Sequence, residues 1–208
     1  MRVLAIETAS EACSIALSDA EGVIARDHRV LGRGHAEQLV PMIAALPDKG
    51  RAERIIVSLG PGSFTGVRVG LAAARALGVA WKAEVLGYPT LSLVAHAALH
   101  RETGPVSVCM NGGHGEWFFQ NFAADGCPQD AARSLTPEQT RAADVHRVIA
   151  GNRASECAAL FADDRTVLEL LPDARDAHRL GPDRFTRDLR PIYGRAPDAT
   201  PQKAAAAS

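Results

Sequence analysis

The first half of the chain alternates between two hydrophobic periods, which separate strands from helices. Short apolar runs bounded by polar turns predict strands at residues 3–6, 13–17, 23–30, 54–58 and 84–88. Apolar residues spaced three and four apart predict helices at residues 35–46, 67–82 and 90–100. Three strands followed by helix, strand, helix, strand and helix indicate a mixed sheet with helices on its faces.

The second half carries a weaker copy of the same pattern. Two further strands, at 106–110 and 116–122, echo the opening hairpin, and helices are expected to begin at 136 and 154 around a strand at 148–151. The fold class is therefore predicted as α/β, with two ribonuclease-H-like lobes, each a mixed sheet flanked by helices. The predicted domains are a first lobe, 1–100, a second and reduced lobe, 101–190, and a partly disordered tail, 191–208.

A glycine-rich turn, GPGSFTG at residues 60–66, joins a predicted strand to a predicted helix. The three glycines are not spaced as in the dinucleotide fingerprint, and no Lys-Ser/Thr pair follows as in a Walker loop. We therefore favour a turn for close packing, with Ser63 or Thr65 capping the helix, over phosphate binding. A weak nucleotide or anion contact at this turn and at the end of the first strand is the alternative. Its candidate residues are Glu7, Thr8, Gly60, Gly62 and Ser63.

Small residues recur every four positions along the next helix, at Gly66, Gly70, Ala74 and Gly78. They form one bare stripe, because residues four apart share a helix face. Glycine inside a helix costs about 1 kcal/mol relative to alanine, so the stripe indicates close approach of another backbone. The stripe alone does not distinguish packing within the domain from a helix interface with a partner.

Net charge, cysteine spacing and the length of the apolar runs argue against several classes of protein. A net charge of −1 argues against tight independent binding to nucleic acid. The four cysteines have no Cys-x-x-Cys spacing, which excludes a zinc knuckle. No apolar run is long enough for a membrane span and no signal peptide is recognisable, so we expect a cytoplasmic protein.

Four segments resemble the TsaB family, the glycoprotease-like, non-catalytic subunits of the bacterial tRNA threonylcarbamoyladenosine synthase. The segments are residues 4–9, 13–17, 35–43 and 60–68, and the GPGSFTG run is highly specific for that family. Near the C-terminus, PIYGR at 191–195 is similar to the family's Pro-x-Tyr-x-Arg element. The resemblance implies the two-lobed, actin-like fold (ASKHA) and a subunit that pairs with a TsaD-like catalytic paralogue.

The resemblance also implies the partners and the surface that binds them. A TsaE-like ATPase joins the pair, the complex modifies the adenosine next to the anticodon, and tRNA is bound only through that complex. The chain pairs with itself when alone, through its first two helices. The implied interface residues are His35, Leu39, Gly66, Arg68, Gly70, Ala74 and Gly78.

Comparison with the catalytic relatives implies that this chain has no catalytic residue, metal or cofactor of its own. Thr90 and Val94 stand where the paralogue has its two metal-binding histidines, and Asn111 replaces a second acidic residue. ATP or ADP and the metal ion are therefore expected in the TsaD-like partner. His96 and His100 are interpreted as a surface pair. The alternative function is an ATP-dependent small-molecule kinase or ATPase of the actin-like fold.

Overall fold

The computed structural model describes residues 1–194, which form ten strands and five α-helices. The strands are β1 (Val3–Glu7), β2 (Ala12–Asp19), β3 (Gly22–Val30), β4 (Arg54–Ser58), β5 (Glu84–Tyr88), β6 (Val106–Gly113), β7 (Glu116–Phe122), β8 (Arg133–Leu135), β9 (Val148–Ala150) and β10 (Thr166–Leu168). The helices are α1 (His35–Ala45), α2 (Phe64–Trp81), α3 (Thr90–Leu99), α4 (Pro137–Arg141) and α5 (Ala154–Ala158). Short 3-10 helices span Pro47–Gly50, Ala174–Arg179 and Pro182–Arg184.

The two sheets have the same topology. The first sheet has the strand order β3-β2-β1-β4-β5, and the second has the corresponding order β8-β7-β6-β9-β10. In each sheet the first three strands in sequence pair antiparallel, the fourth pairs in parallel with the first, and the fifth pairs in parallel with the fourth. The predicted two-lobed mixed-sheet fold is therefore confirmed.

Element boundaries differ from the predictions where local chemistry overrides periodicity. Helix α2 begins at Phe64, three residues earlier than predicted, because the Ser63 hydroxyl caps it by accepting the Gly66 N–H at 3.2 Å. The three-residue strands β8 and β10 were not predicted, since so short a segment shows no period. Helix α5 begins at Ala154, as predicted, and ends after five residues at Ala158.

Helices cover both faces of the first sheet. One face packs against α1 and α2 through residues such as Ile6, Leu39 and Leu71. The other face packs against α3 and the 3-10 helix Ala174–Arg179, with Leu93 and Ala177 in the shared core. Since Leu91 and Val94 of α3 also pack with the second sheet, α3 lies between the two lobes.

The end of the described chain returns to the first lobe. The backbone N–H of Ala174 donates to Ser14 Oγ at 2.9 Å, and Thr186 pairs with Gly87 of β5. Residues 174–190, predicted as part of the second lobe, therefore lie on the first sheet. Within residues 1–194, no helix combines the length and the apolar character needed to cross a membrane.

Candidate functional site: the interlobe cleft and the outer face of the first two helices

The glycine turn brings the loop after β1 against the N-terminus of α2. A Cβ atom on Gly62 would lie 2.1 Å from the carbonyl oxygen of Ala9, and one on Gly66 would lie 2.0 Å from that of Thr8. The backbone N–H of Ser63 donates to the Ala9 carbonyl at 2.7 Å. Only glycine permits this approach. The prediction that the turn serves close packing is confirmed.

The same packing corrects the predicted anion contact. Glu7 and Thr8 are fully buried and Gly60 is also enclosed, so none of the three is available to a ligand. The Thr8 hydroxyl donates to the carbonyl of Gly66 at 2.8 Å. Of the five candidate residues, only Gly62 and Ser63 reach solvent, and the Ser63 hydroxyl already accepts the Gly66 N–H.

Glu7 is a carboxyl group enclosed in the first sheet. Burial raises its pKa to about 7, against the opposing effect of hydrogen bonds. The Ala9 N–H donates to Oε1 at 2.7 Å, and the Tyr88 hydroxyl lies 3.4 Å from Oε2. Burial, with the adjacent carboxylate, also raises the pKa of Tyr88. Glu7 therefore titrates near neutral pH without contact with solvent.

A cleft of about 840 Å³ separates the lobes. It is bounded by the loop after β1, the glycine turn, the β6–β7 turn and the end of the described chain. Its charged or titratable lining groups include Glu11, Arg68 and His114. The volume suits a small molecule, and the lining groups could orient one by hydrogen bonding.

A polar contact joins the lobes across this cleft. The side-chain amide of Asn152 donates to both carboxylate oxygens of Glu11, at 2.8 and 3.0 Å. Its carbonyl oxygen accepts the backbone N–H of Asn111 at 2.8 Å. Asn111, the predicted replacement for an acidic residue, therefore belongs to a contact that holds the lobes together.

The segment 191–194 closes one end of the cleft. The N–H of Ile192 donates to the Leu59 carbonyl at 2.7 Å, beside the glycine turn. Arg68 lies 3.4 Å above the Phe64 ring and donates to the Tyr193 hydroxyl at 3.1 Å. The predicted tail thus begins with residues packed on the first lobe, whereas its remainder, 195–208, lies outside the described residues.

The predicted interface residues are mostly interior. A Cβ on Gly70 would lie 2.4 Å from Thr8 Oγ1, and one on Gly78 would lie 2.4 Å from Val85 Cγ2. Ala74 is fully buried. The small-residue stripe therefore packs against its own sheet, and its assignment to a partner interface was wrong.

The two residues assigned from α1 are buried as well. His35 is 8% exposed, with Nε2 3.2 Å from the Ala12 carbonyl, and Leu39 is 1% exposed. Among the seven predicted interface residues, only Arg68 is exposed.

The outer faces of α1 and α2 are largely apolar, with Glu37, Arg68 and Arg75 as exposed charged residues, and this surface was not predicted from the sequence. Val40, Phe64 and Val79 are 58%, 58% and 83% exposed, and several alanines beside them also reach solvent. We call this surface the α1–α2 face; besides these three residues it includes Ala36, Ala44, Ala72, Ala76 and Ala80. A signal was present, because only Thr65, Arg68 and Arg75 are polar among the 18 residues of α2. A helix with one face exposed to solvent normally carries more polar residues than this.

Of the four residues considered for metal binding, two are buried and two lie at the surface. Thr90 and Val94 are 1% and 0% exposed and lie inside the core around α3. His96 and His100 lie together on the surface of α3, with their Nε2 atoms 3.2 Å apart. Burial and the neighbouring His100 lower the pKa of His96. Within the part of the chain that the structure describes, no three His, Cys, Asp or Glu side chains are grouped to hold a metal ion.

Two mixed sheets of identical topology, with a cleft between them, define a two-lobed protein of the actin-like class. The protein YeaZ from Pseudomonas aeruginosa shares this structure, with a TM-score of 0.77 and 25% identity over 92% of this chain and 99% of that chain. The family model for TsaD, described as tRNA N6-adenosine threonylcarbamoyltransferase, matches residues 14–135.

Curated relatives agree with this match. The Escherichia coli tRNA threonylcarbamoyladenosine biosynthesis protein TsaB is 34% identical over 132 residues, which span 60% of this chain and 56% of that protein. An uncharacterized protein of Mycobacterium tuberculosis is 31% identical over 96% of this chain and 94% of its own length. The chain belongs to the TsaD family, and within it is a TsaB/YeaZ-like protein.

Proposed function

We propose that this chain is a non-catalytic subunit of the machinery that makes threonylcarbamoyladenosine next to the anticodon of tRNAs. It pairs with a TsaD-like catalytic paralogue, and a TsaE-like ATPase binds the pair. The family match and the name of the Escherichia coli relative support this role. The observation that carries the pairing step is the apolar α1–α2 face.

This face has the properties of a surface that a partner covers. Val79 is 83% exposed on α2, and Val40 of α1 and Phe64 of α2 are each more than half exposed. Removing such side chains from water contributes about 25 cal/mol for each Å² of apolar surface. The surrounding alanines leave α2 flat enough for another helix to approach. In the absence of the paralogue, the same face pairs two copies of this chain around a two-fold axis.

The interior positions support a subunit without chemistry of its own. An actin-like phosphotransfer site needs carboxylates that reach a metal ion and phosphate. Here Glu7 is fully buried, and Asn111 is a neutral amide hydrogen-bonded within the protein. These two residues weigh against the alternative, an ATP-dependent kinase or ATPase. ATP and the metal ion are assigned to the TsaD-like partner.

The test is co-expression with the TsaD-like paralogue of the same organism, followed by size-exclusion chromatography. Val79→Glu introduces a charge at the most exposed of the three large apolar residues of the α1–α2 face and is expected to weaken pairing at least tenfold, about 1.4 kcal/mol. Compared at a concentration where both proteins are monomeric, its melting temperature should match that of the wild type, because Val79 is exposed. Val167→Glu, at a residue 37% exposed in the second lobe, is the matched control.

Pairing of Val79→Glu with wild-type affinity, or an equal loss in Val167→Glu, would contradict the proposed interface. The role itself is tested by depleting the chain in cells and measuring threonylcarbamoyladenosine in digested tRNA by mass spectrometry. The modification should fall on depletion and return with the wild-type chain. The purified chain alone should produce none, and repeatable turnover by it would refute a non-catalytic role.

A further inference from the structure

A second concave surface lies on the face of the first sheet opposite α1 and α2. It is a groove of about 500 Å³ between β3, the end of α3 and the 3-10 helix Ala174–Arg179. Val23, Ile24 and Ala97 are among its apolar lining residues. We call it the arginine groove, because four arginines line it: Arg26, Arg101, Arg175 and Arg179.

The groove concentrates positive charge in a protein whose net charge is close to zero. Asp176 is the acidic residue among its lining groups, whereas the whole chain has a net charge of −1. His100 and His178 also line it. Basic side chains therefore outnumber acidic ones among the lining residues of this groove.

Buried carboxylates hold three of the arginines from below. Asp173 and Asp176 are only 14% and 12% exposed at their side chains, whereas Arg26 and Arg179 are about half exposed. The arginine side chains are therefore more exposed than the two carboxylates that pair with them, so the surface that a ligand meets is mainly cationic.

The arginine side chains keep their hydrogen-bonding capacity. Their closest ion-pair distances are 3.6 Å for Arg26, 3.3 Å for Arg175 and 3.7 Å for Arg179. Other ion pairs of this chain are much shorter, such as the 2.6 Å pair between Arg153 and Glu156. Arg101 has no ion pair within residues 1–194. Each guanidinium carries five N–H donors, so this surface presents many donors that the described residues leave unused.

We infer that the arginine groove binds the phosphate backbone of RNA. Guanidinium groups match the geometry of phosphate oxygens, and several in one groove fit successive phosphates of a polyanion. Such contacts position RNA without reading its sequence. The inference rests on the proposed function only for the choice of tRNA as the RNA. With so few arginines, the isolated chain binds tRNA weakly at physiological salt, and binding strengthens as salt falls.

The experiment measures binding of a fluorescently labelled, unmodified tRNA transcript to the full chain by anisotropy, from about 50 to about 200 mM salt. The double variant Arg101→Ala/Arg179→Ala is expected to weaken binding at low salt by about tenfold or more. It should also reduce the slope of log K against log salt by about two, one for each lost phosphate contact.

Arg147→Ala is the matched control, because Arg147 is an exposed arginine of the second lobe with no ion pair among the described residues. It should leave both the affinity and the slope unchanged. The single variant Arg101→Ala controls for misfolding, because Arg101 makes no ion pair among the described residues. It should reduce the slope of log K against log salt by about one. Equal losses in Arg147→Ala, or an unchanged slope in the double variant, would overturn the inference.

Two outcomes separate this inference from the proposed function. If depletion of the chain leaves tRNA modification intact while the groove variants still lose RNA binding, the proposed function fails and the groove stands. If depletion abolishes modification but the groove variants bind tRNA as the wild type does, the groove fails and the function stands.

Discussion

The two lobes share one strand order but differ in the length of their elements. In the first lobe the five strands have 5 to 9 residues, and α1 and α2 have 11 and 18. In the second lobe β8, β9 and β10 have three residues each, and α4 and α5 have five. Short strands are enough to preserve the topology of the sheet. A long helix, in contrast, offers an extended outer face that a partner can cover. The proposed pairing surface, the α1–α2 face, therefore lies in the lobe that has the longer helices.

The lobes also differ in the residue that ends or nearly ends their first strand. In the first lobe this is Glu7, fully buried beneath Tyr88 and the loop after β1. In the second lobe it is Asn111, which is exposed and whose backbone N–H donates to Asn152 Oδ1 in the loop after β9. The same place in the fold thus carries a titrating group in one lobe and a neutral one in the other. Three predictions, from the largest expected effect to the smallest, test these differences by mutation.

The largest effect is expected for Glu7→Gln, through the pH dependence of stability. The pKa of Glu7 is raised in the folded state, to about 7, so the folded chain holds this proton more tightly than the unfolded one. Its contribution to stability is complete at low pH and is lost as pH rises from about 4.5 to about 7, by about 1.4 kcal/mol for each unit. Glu7→Gln removes this loss.

Chemical denaturation of both proteins across this pH range measures the difference. The stability of the wild type should fall relative to Glu7→Gln as pH rises, and Asn111→Ala should follow the wild-type slope. Parallel pH profiles for Glu7→Gln and the wild type would show that the carboxyl group of Glu7 is not buried as described.

The second effect concerns the glycines that let each helix approach the first strand of its lobe. Gly66→Ala places a Cβ 2.0 Å from the Thr8 carbonyl oxygen, and Gly151→Ala places one 2.1 Å from that of Cys109. We expect each variant to lose about 2 kcal/mol or more of unfolding free energy. For Gly66 the loss opposes the gain of about 1 kcal/mol that alanine normally brings to a helix.

Thermal and urea denaturation report this loss, with Ala76→Leu as the control. That variant adds bulk to the exposed side of α2 and should melt as the wild type does when both are compared at a concentration where they are monomeric. If Gly66→Ala is as stable as the wild type and Ala76→Leu is not, the orientation of α2 is the reverse of the one described here.

The smallest effect is expected for the contact between the lobes. Asn152→Ala removes the bonds to Glu11 and to the Asn111 N–H, and we expect a loss of about 1–2 kcal/mol. Arg153→Ala, next in sequence, removes only an exposed ion pair with Glu156 and should cost less than about 1 kcal/mol. Urea denaturation distinguishes the two. Equal losses would mean that the polar contact does not stabilise the arrangement of the lobes.

Much of the fold could be predicted from the sequence, because the spacing of apolar residues and the residue types at turns depend only on residues that are close together in the chain. The order of elements in the first lobe followed from apolar runs, and the cap at Ser63 followed from the residue types at the glycine turn. The capping box of α4, with Thr136 and Gln139, confirmed the helix start predicted at 136. The family resemblance rested on the same local runs.

Only the tertiary structure determines which face of each helix packs inside the protein and which face is exposed to solvent. A stripe of small residues indicates that another part of a polypeptide packs closely against the helix, as at Gly66, Gly70, Ala74 and Gly78. The spacing does not show whether that part belongs to the same chain or to a partner. Val85 and Thr8, which meet the stripe, come from β5 and from the loop after β1. The arginine groove has the same origin, since Arg26, Arg101 and Arg179 are 75 and 78 residues apart and meet only when the end of the described chain returns to the first sheet. Local sequence determines which elements form, and long-range packing determines which side of each element remains free to bind.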